Sequence, residues 1–187
     1  MRYISFLLLL CVAFTGWSQE KAISIRMLQH GVEVPPQNGI VLLDKKPFAI
    51  EVKLTNVDGV YLYAGFSDSI YRTEHHEPIP GYAELADMAM AEEEFNKDQE
   101  LLISSEGWSY WFYDRSMDWH RFDKAVTILD SETVIATKTV RQFNLIEAHK
   151  LVKMERAGQP LYLFFVAMEP GDEKKELERY KLIIHWK

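Results

Sequence analysis

Six consecutive residues, Asp118-Trp119-His120-Arg121-Phe122-Asp123, hold the densest polar chemistry in the chain. Asp118, His120 and Asp123 are side-chain types that ligate a divalent cation when a loop brings them together. One histidine with two carboxylates has no diagnostic spacing, and a ligating histidine needs a further partner to orient its ring. The competing structure is an ion-pair loop in which Arg121 meets Asp114 or Asp123 and orients the strand ends. These residues close an aromatic run. Positions 106–123, EGWSYWFYDRSMDWHRFD, contain Trp108, Tyr110, Trp111, Phe112, Tyr113, Trp119 and Phe122. Flat rings on a rigid sheet stack on sugar rings, while Asp and Arg groups beside them bond hydroxyls; apolar walls with a few placed polar groups are the usual make-up of a concave site. The sequence therefore nominates Trp111, Tyr113, Asp118, Trp119, His120 and Arg121 as ligand-binding residues.

Other chemistry is thinner. Glu74-His75-His76-Glu77 has the donors for Zn, Cu or Ni. Adjacent histidines on a strand point to opposite faces, so only a bend near Pro78 would converge them, and no HExxH spacing accompanies the pair. A solvated loop is the expectation there. A glycosidase needs two carboxyls about 5 to 10 Å apart, and 28 acidic residues give sequence alone no means of choosing them. No GxSxG elbow, GxGxxG turn or GxxxxGK[ST] loop occurs. The expectation is no metal site, no cofactor and no assigned catalytic residue.

The elements that would position these residues read mostly as strands. Ile23, Ile25 and Met27 alternate with polar residues, and 40–43 is a short apolar run. Phe48, Ile50, Val52 and Leu54 share one face; Val60, Leu62, Ala64 and Phe66 share another, with Tyr61 and Tyr63 behind them. Asn56-Val57-Asp58-Gly59 between the two runs predicts a β-hairpin. Helical spacing of Tyr82, Leu85, Met88, Ala89 and Phe95 predicts a helix over 82–95. In 108–113, Trp108, Tyr110 and Phe112 are expected to face the core, and Trp111 and Tyr113 the other side. The segments 125–129 and 133–143 should pair across Asp130-Ser131-Glu132. Asn144 followed by Glu147 matches a capping box, which predicts a helix over 145–156 with Leu145, Ala148, Leu151 and Val152 buried, ended by Gly158 and Pro160. Strands 161–168 and 179–186 complete the chain. The prediction is one mainly β domain over 19–187, an antiparallel β-sandwich with one or two helical insertions.

The start of the chain sets the compartment. A basic Met1-Arg2-Tyr3, an apolar run over 4–14, and small residues at Gly16 and Ser18 form a signal peptide over 1–18, cleaved before Gln19. The run is too short to span a bilayer, which takes about 20 apolar residues, and no later stretch qualifies. Cys11 is the single cysteine; Leu8, Leu9 and Leu10 ahead of it fit poorly with lipoprotein processing. The mature chain would then lack any thiol and rely on its core, without disulfide or Cys–Zn support. Loss of Arg2 takes the formal charge from −7 to −8. An acidic chain with no basic run is a poor binder of nucleic acid or anionic membrane. The Leu-rich start followed by Gln19 is similar to small exported proteins of Bacteroidota-type bacteria, a resemblance that carries no motif. The functional expectation is a non-catalytic, periplasmic or extracellular binding or interaction protein of the bacterial envelope, its partner a glycan or an envelope protein. The alternative is a hydrolase acting on glycan or peptidoglycan through an Asp or Glu acid.

Overall fold

Alternating apolar residues, many of them β-branched, put a strand wherever one face can be buried. The computed structural model describes residues 22–57, 59–68, 99–105, 109–114, 127–129, 133–169 and 176–187, with backbone alone at 22, 109–111, 113, 114, 127, 128 and 176. Along the described chain run β1 (Ala22–Gln29), β2 (Val32–Glu33), β3 (Ile40–Leu43), β4 (Phe48–Thr55), β5 (Gly59–Gly65), β6 (Glu100–Ile103) and β7 (Ser109–Asp114). They are followed by β8 (Thr127–Ile128), β9 (Thr133–Val140), β10 (Gln142–Leu145), β11 (Lys150–Lys153), β12 (Leu161–Met168) and β13 (Glu176–Trp186). A 3-10 turn, Met154–Arg156, separates β11 from β12.

The strands form two five-stranded sheets and one small one. The first sheet has the order β2-β1-β4-β9-β8, the second β3-β13-β12-β5-β7, and the end sheet β11-β10-β6. Pairing is antiparallel except at β6–β10 and β3–β13, which are parallel. One core takes Ile50, Val52 and Leu54 from the first sheet, Leu62, Phe165 and Leu182 from the second, and Leu101 and Phe143 from the end sheet. The fold is therefore mainly β, a sandwich with the end sheet packed into the same core. Each such side chain, withdrawn from water, contributes about 1.5 to 3 kcal/mol before the entropy of ordering is counted. Phe112 is fully buried and meets Phe165 edge-on, with centroids 5.9 Å apart, as the alternation of its strand implied. The buried Gln29 amide ties the two large sheets: its oxygen accepts from the Asp44 N–H at 2.9 Å, and its nitrogen donates to the Asp44 and Lys46 carbonyls at 3.0 and 3.1 Å.

Two sequence expectations are corrected. The runs over 48–55 and 60–66 do not form a hairpin: β4 pairs with β1 and β9, while β5 pairs with β12 and β7. The link between them crosses from one sheet to the other, and Val57 within it is fully buried. A strand with one apolar face satisfies either arrangement, so alternation could not separate them. The second correction is the helix over 145–156. Residues 142–153 are a hairpin, β10 and β11 around a turn at 146–149, in which His149 adopts a φ of 47°. Asn144 is a buried strand residue rather than a cap, and Leu151 is exposed. Helix propensity lost to tertiary pairing: β10 fills the place beside β6, and its Asn144 and Gln142 amides serve Glu100 there. No helical insertion occurs among the described residues; the helix expected over 82–95 lies outside them. The pairing of β8 with β9 is as the sequence implied, but the segment over 133–143 breaks at Arg141, β9 staying in the first sheet and β10 passing to the end sheet; β12 and β13 pair antiparallel.

Candidate functional site

Three backbone segments far apart in sequence meet at one end of the sandwich. The Ser104 N–H donates to the Ala64 carbonyl at 2.9 Å, which fastens the exit of β6 to the end of β5. The Ile146 N–H donates to the Ile103 carbonyl at 3.0 Å, which fastens the β10–β11 turn to the same point. The His149 N–H then closes that turn onto Ile146 at 3.1 Å. The result is a concave site of about 280 Å³ with Phe66, Ile103, Leu145 and Ala148 as apolar wall and Ser67, Ser105, Glu147 and Gln159 as polar wall.

Glu147 is the single formally charged group among the described lining residues. Its Oε1 accepts from the Ser104 hydroxyl at 2.5 Å and the Ser105 N–H at 3.1 Å, and its Oε2 from the same N–H at 3.1 Å. Hydrogen bonds to an ionised acceptor are shorter and stronger than neutral ones, so these donors set where the carboxylate stands. The capping-box pattern implies that this carboxylate reaches a backbone N–H; it does so, but at Ser105, just past the end of β6. Behind Phe66 a row of rings runs into the core. Phe66 meets Phe143 at 5.3 Å and 87°, Phe143 meets Trp186 at 6.0 Å, and Trp186 meets Phe48 at 6.2 Å. The Trp186 indole N–H donates to the Gln159 carbonyl at 2.7 Å. Phe143 thus stands between Phe66 and the indole that holds the Gln159 backbone. Sequence reasoning assigned none of these residues to a site. Phe66 had read as a core residue, and the serines carry no local signal.

Two further clusters lie elsewhere on these strands. Glu100, buried, accepts from the Gln142 amide at 2.8 Å and the Asn144 amide at 3.1 Å. Its carboxylate pins the parallel register of β6 on β10. On the outer face of the second sheet, Tyr61, Tyr63, Phe164, Val166 and Met168 form a second buried cluster. Tyr63 and Phe164 lie 5.6 Å apart. Arg179 and Lys181 stand 5.7 and 5.8 Å from the Phe164 ring centroid, within reach of cation–π attraction. Burial pushes the Lys181 ammonium below its ordinary pKa.

Of the nominated residues, Trp111 and Tyr113 lie on β7, where Trp111 registers opposite Tyr61 and Tyr113 opposite Val60. A shift between Val60 and Tyr61 inserts one extra residue into β7 there. Val60 and Tyr61 belong to the two opposite faces of the second sheet. Asp118, Trp119, His120 and Arg121 lie outside the described residues, as do Asp123, Glu74, His75, His76 and Glu77. Among the described residues no three His, Cys, Asp or Glu side chains group as metal ligands, and no helix is long and apolar enough to cross a membrane. The chain matches no protein-family model, no curated protein and no solved structure at a significant level.

Proposed function

We propose that this is an exported, non-catalytic binding protein of the bacterial envelope that recognises a glycan. The observation that carries the proposal is the concave site of about 280 Å³, which joins an apolar wall that includes Phe66 to a carboxylate oriented by Ser104 and Ser105. That pairing of apolar wall with fixed polar group is the general design of a small-ligand site. The aromatic residues Trp111, Tyr113 and Trp119, with Asp118, His120 and Arg121, are proposed as a second contact surface for a longer glycan. Export rests on the signal-like stretch over 1–18. Expressed from its full sequence in a bacterial host, the protein should be recovered outside the cytoplasm with Gln19 as its first residue. A chain that keeps Met1 in the cytoplasm refutes export. A glycan array probed with the mature protein should give bound glycans; an array without a bound glycan refutes recognition.

Hydrolysis of glycan or peptidoglycan is the alternative reading, favoured by Glu147 standing in the wall of the concavity. It requires a second carboxyl about 5 to 10 Å away. Release of new reducing ends from array-positive glycans, lost in Glu147→Gln, would replace the binding reading with this one.

A further inference from the structure

Resting on the glycan-binding reading, we propose that the concavity is a subsite for a single pyranose ring whose hydroxyls bond Glu147 and Gln159 while its C–H face lies on the apolar wall. Three observations point to this class of ligand. Size is the first: about 280 Å³ lies at the lower end of small-molecule pockets, which begin near 300 Å³. One ring fits and an oligosaccharide continues outside. The second is the division of the lining. Phe66, Ile103 and Leu145 are apolar, whereas Glu147, Gln159 and Ser105 bring a carboxylate, a carboxamide and a hydroxyl. A pyranose is divided in the same way, with C–H bonds on its faces and hydroxyls around its rim, and an aromatic ring offers C–H bonds a negative face.

Charge is the third. The one formally charged side chain among the described lining residues is the Glu147 carboxylate, an acceptor that suits hydroxyl donors. The geometry is also prepared in advance. Ser104 and Ser105 fix the carboxylate, the Phe143 ring backs Phe66, and the Trp186 indole fixes the backbone of Gln159. Ordering cost on binding is correspondingly lowered.

Two variants test the subsite. Ala148→Trp fills the concavity from an exposed turn residue and removes no hydrogen bond of Glu147. Glu147→Gln keeps the shape and removes the charge. The whole mature protein is titrated with free glucose, galactose, mannose and N-acetylglucosamine by saturation-transfer NMR and calorimetry, with melting temperature recorded for each variant. At least one free sugar should bind. Its affinity should fall about tenfold or more in Glu147→Gln, since a hydrogen bond to a charged group is lost, and vanish in Ala148→Trp. Retention of binding in Ala148→Trp overturns the subsite. So does failure of all four sugars to bind the parent. If array glycans still bind the parent and Ala148→Trp equally well, the subsite falls and the glycan-binding reading stands; if neither array glycans nor free sugars bind, both fall.

Discussion

The outer faces of the two large sheets are built on opposite terms. On the first sheet Ser24, Arg26 and Lys53 are exposed, and Arg26 bridges Glu51 and Glu33 across three strands. On the second, Tyr61, Tyr63, Phe164, Val166 and Met168 sit between 1% and 8% exposed. The first sheet is a half-buried surface of the ordinary kind, apolar inward and polar outward. On the second, β5 and β12 are near-continuous buried runs, while β3 and β13 leave Ile40, Leu42 and His185 exposed. The concave site stands where the end of β5 meets β6 and the β10–β11 turn, and the first sheet lends it none of its described lining residues.

The comparison breaks first at Phe164. If the outer face of the second sheet is truly interior, Phe164→Ala should cost about 3 kcal/mol, approaching the roughly 3 to 5 kcal/mol expected for Phe165→Ala in the core. Urea denaturation of both variants decides this; a loss for Phe164→Ala below about 0.5 kcal/mol, the scale of a surface substitution, would make the two outer faces alike. A smaller effect belongs to the end sheet. Glu100→Ala strips the acceptor from two amides, one of them on buried Asn144, and should cost about 1 to 3 kcal/mol. A neutral result there would show that the parallel register of β6 on β10 does not depend on the carboxylate. The smallest effect is on the solvated face. Arg26 is exposed, and its guanidinium proton is held more firmly by the hydrogen bond to Glu51 and then by that charge. Arg26→Ala should lower the melting temperature slightly in dilute buffer and not at all in 1 M salt, where exposed pairs are screened. A salt-independent loss would mean that Arg26 acts through packing.

Strand faces were legible in the sequence because side-chain period reports burial directly. Ile25 and Met27 inward, Val60 and Leu62 opposite Tyr61 and Tyr63, and Phe112 in the core all follow from alternation. Partnership between strands was not legible. The same alternation serves a hairpin and a crossing between sheets, and it is the structure that shows Val57 of the link buried. At 144–153 local chemistry misled. Asn144 and Glu147 look like a helix start, yet both side chains serve β6, some forty residues back in the chain. The concave site was illegible for the same reason. It is assembled from the end of β5, the end of β6, the β10–β11 turn and Gln159, and no one of these segments carries a pattern on its own. The aromatic stretch over 106–123 is the reverse case, conspicuous in sequence while Asp118, Trp119, His120 and Arg121 lie outside the described residues.

The most direct test of the account is where a bound glycan touches the protein. Backbone amide shifts of the isotope-labelled mature chain, followed during titration with an array-positive glycan, locate the contact without altering a residue. Binding at the concavity predicts the largest shifts at Phe66, Ser67, Ser104, Ser105, Glu147 and Ala148, with those of exposed Ser24 and Lys53 on the first sheet unmoved. Shifts confined to Trp111, Tyr113 and 118–121, with the amides around Glu147 silent, would contradict the claim that the end of the sandwich is the binding site.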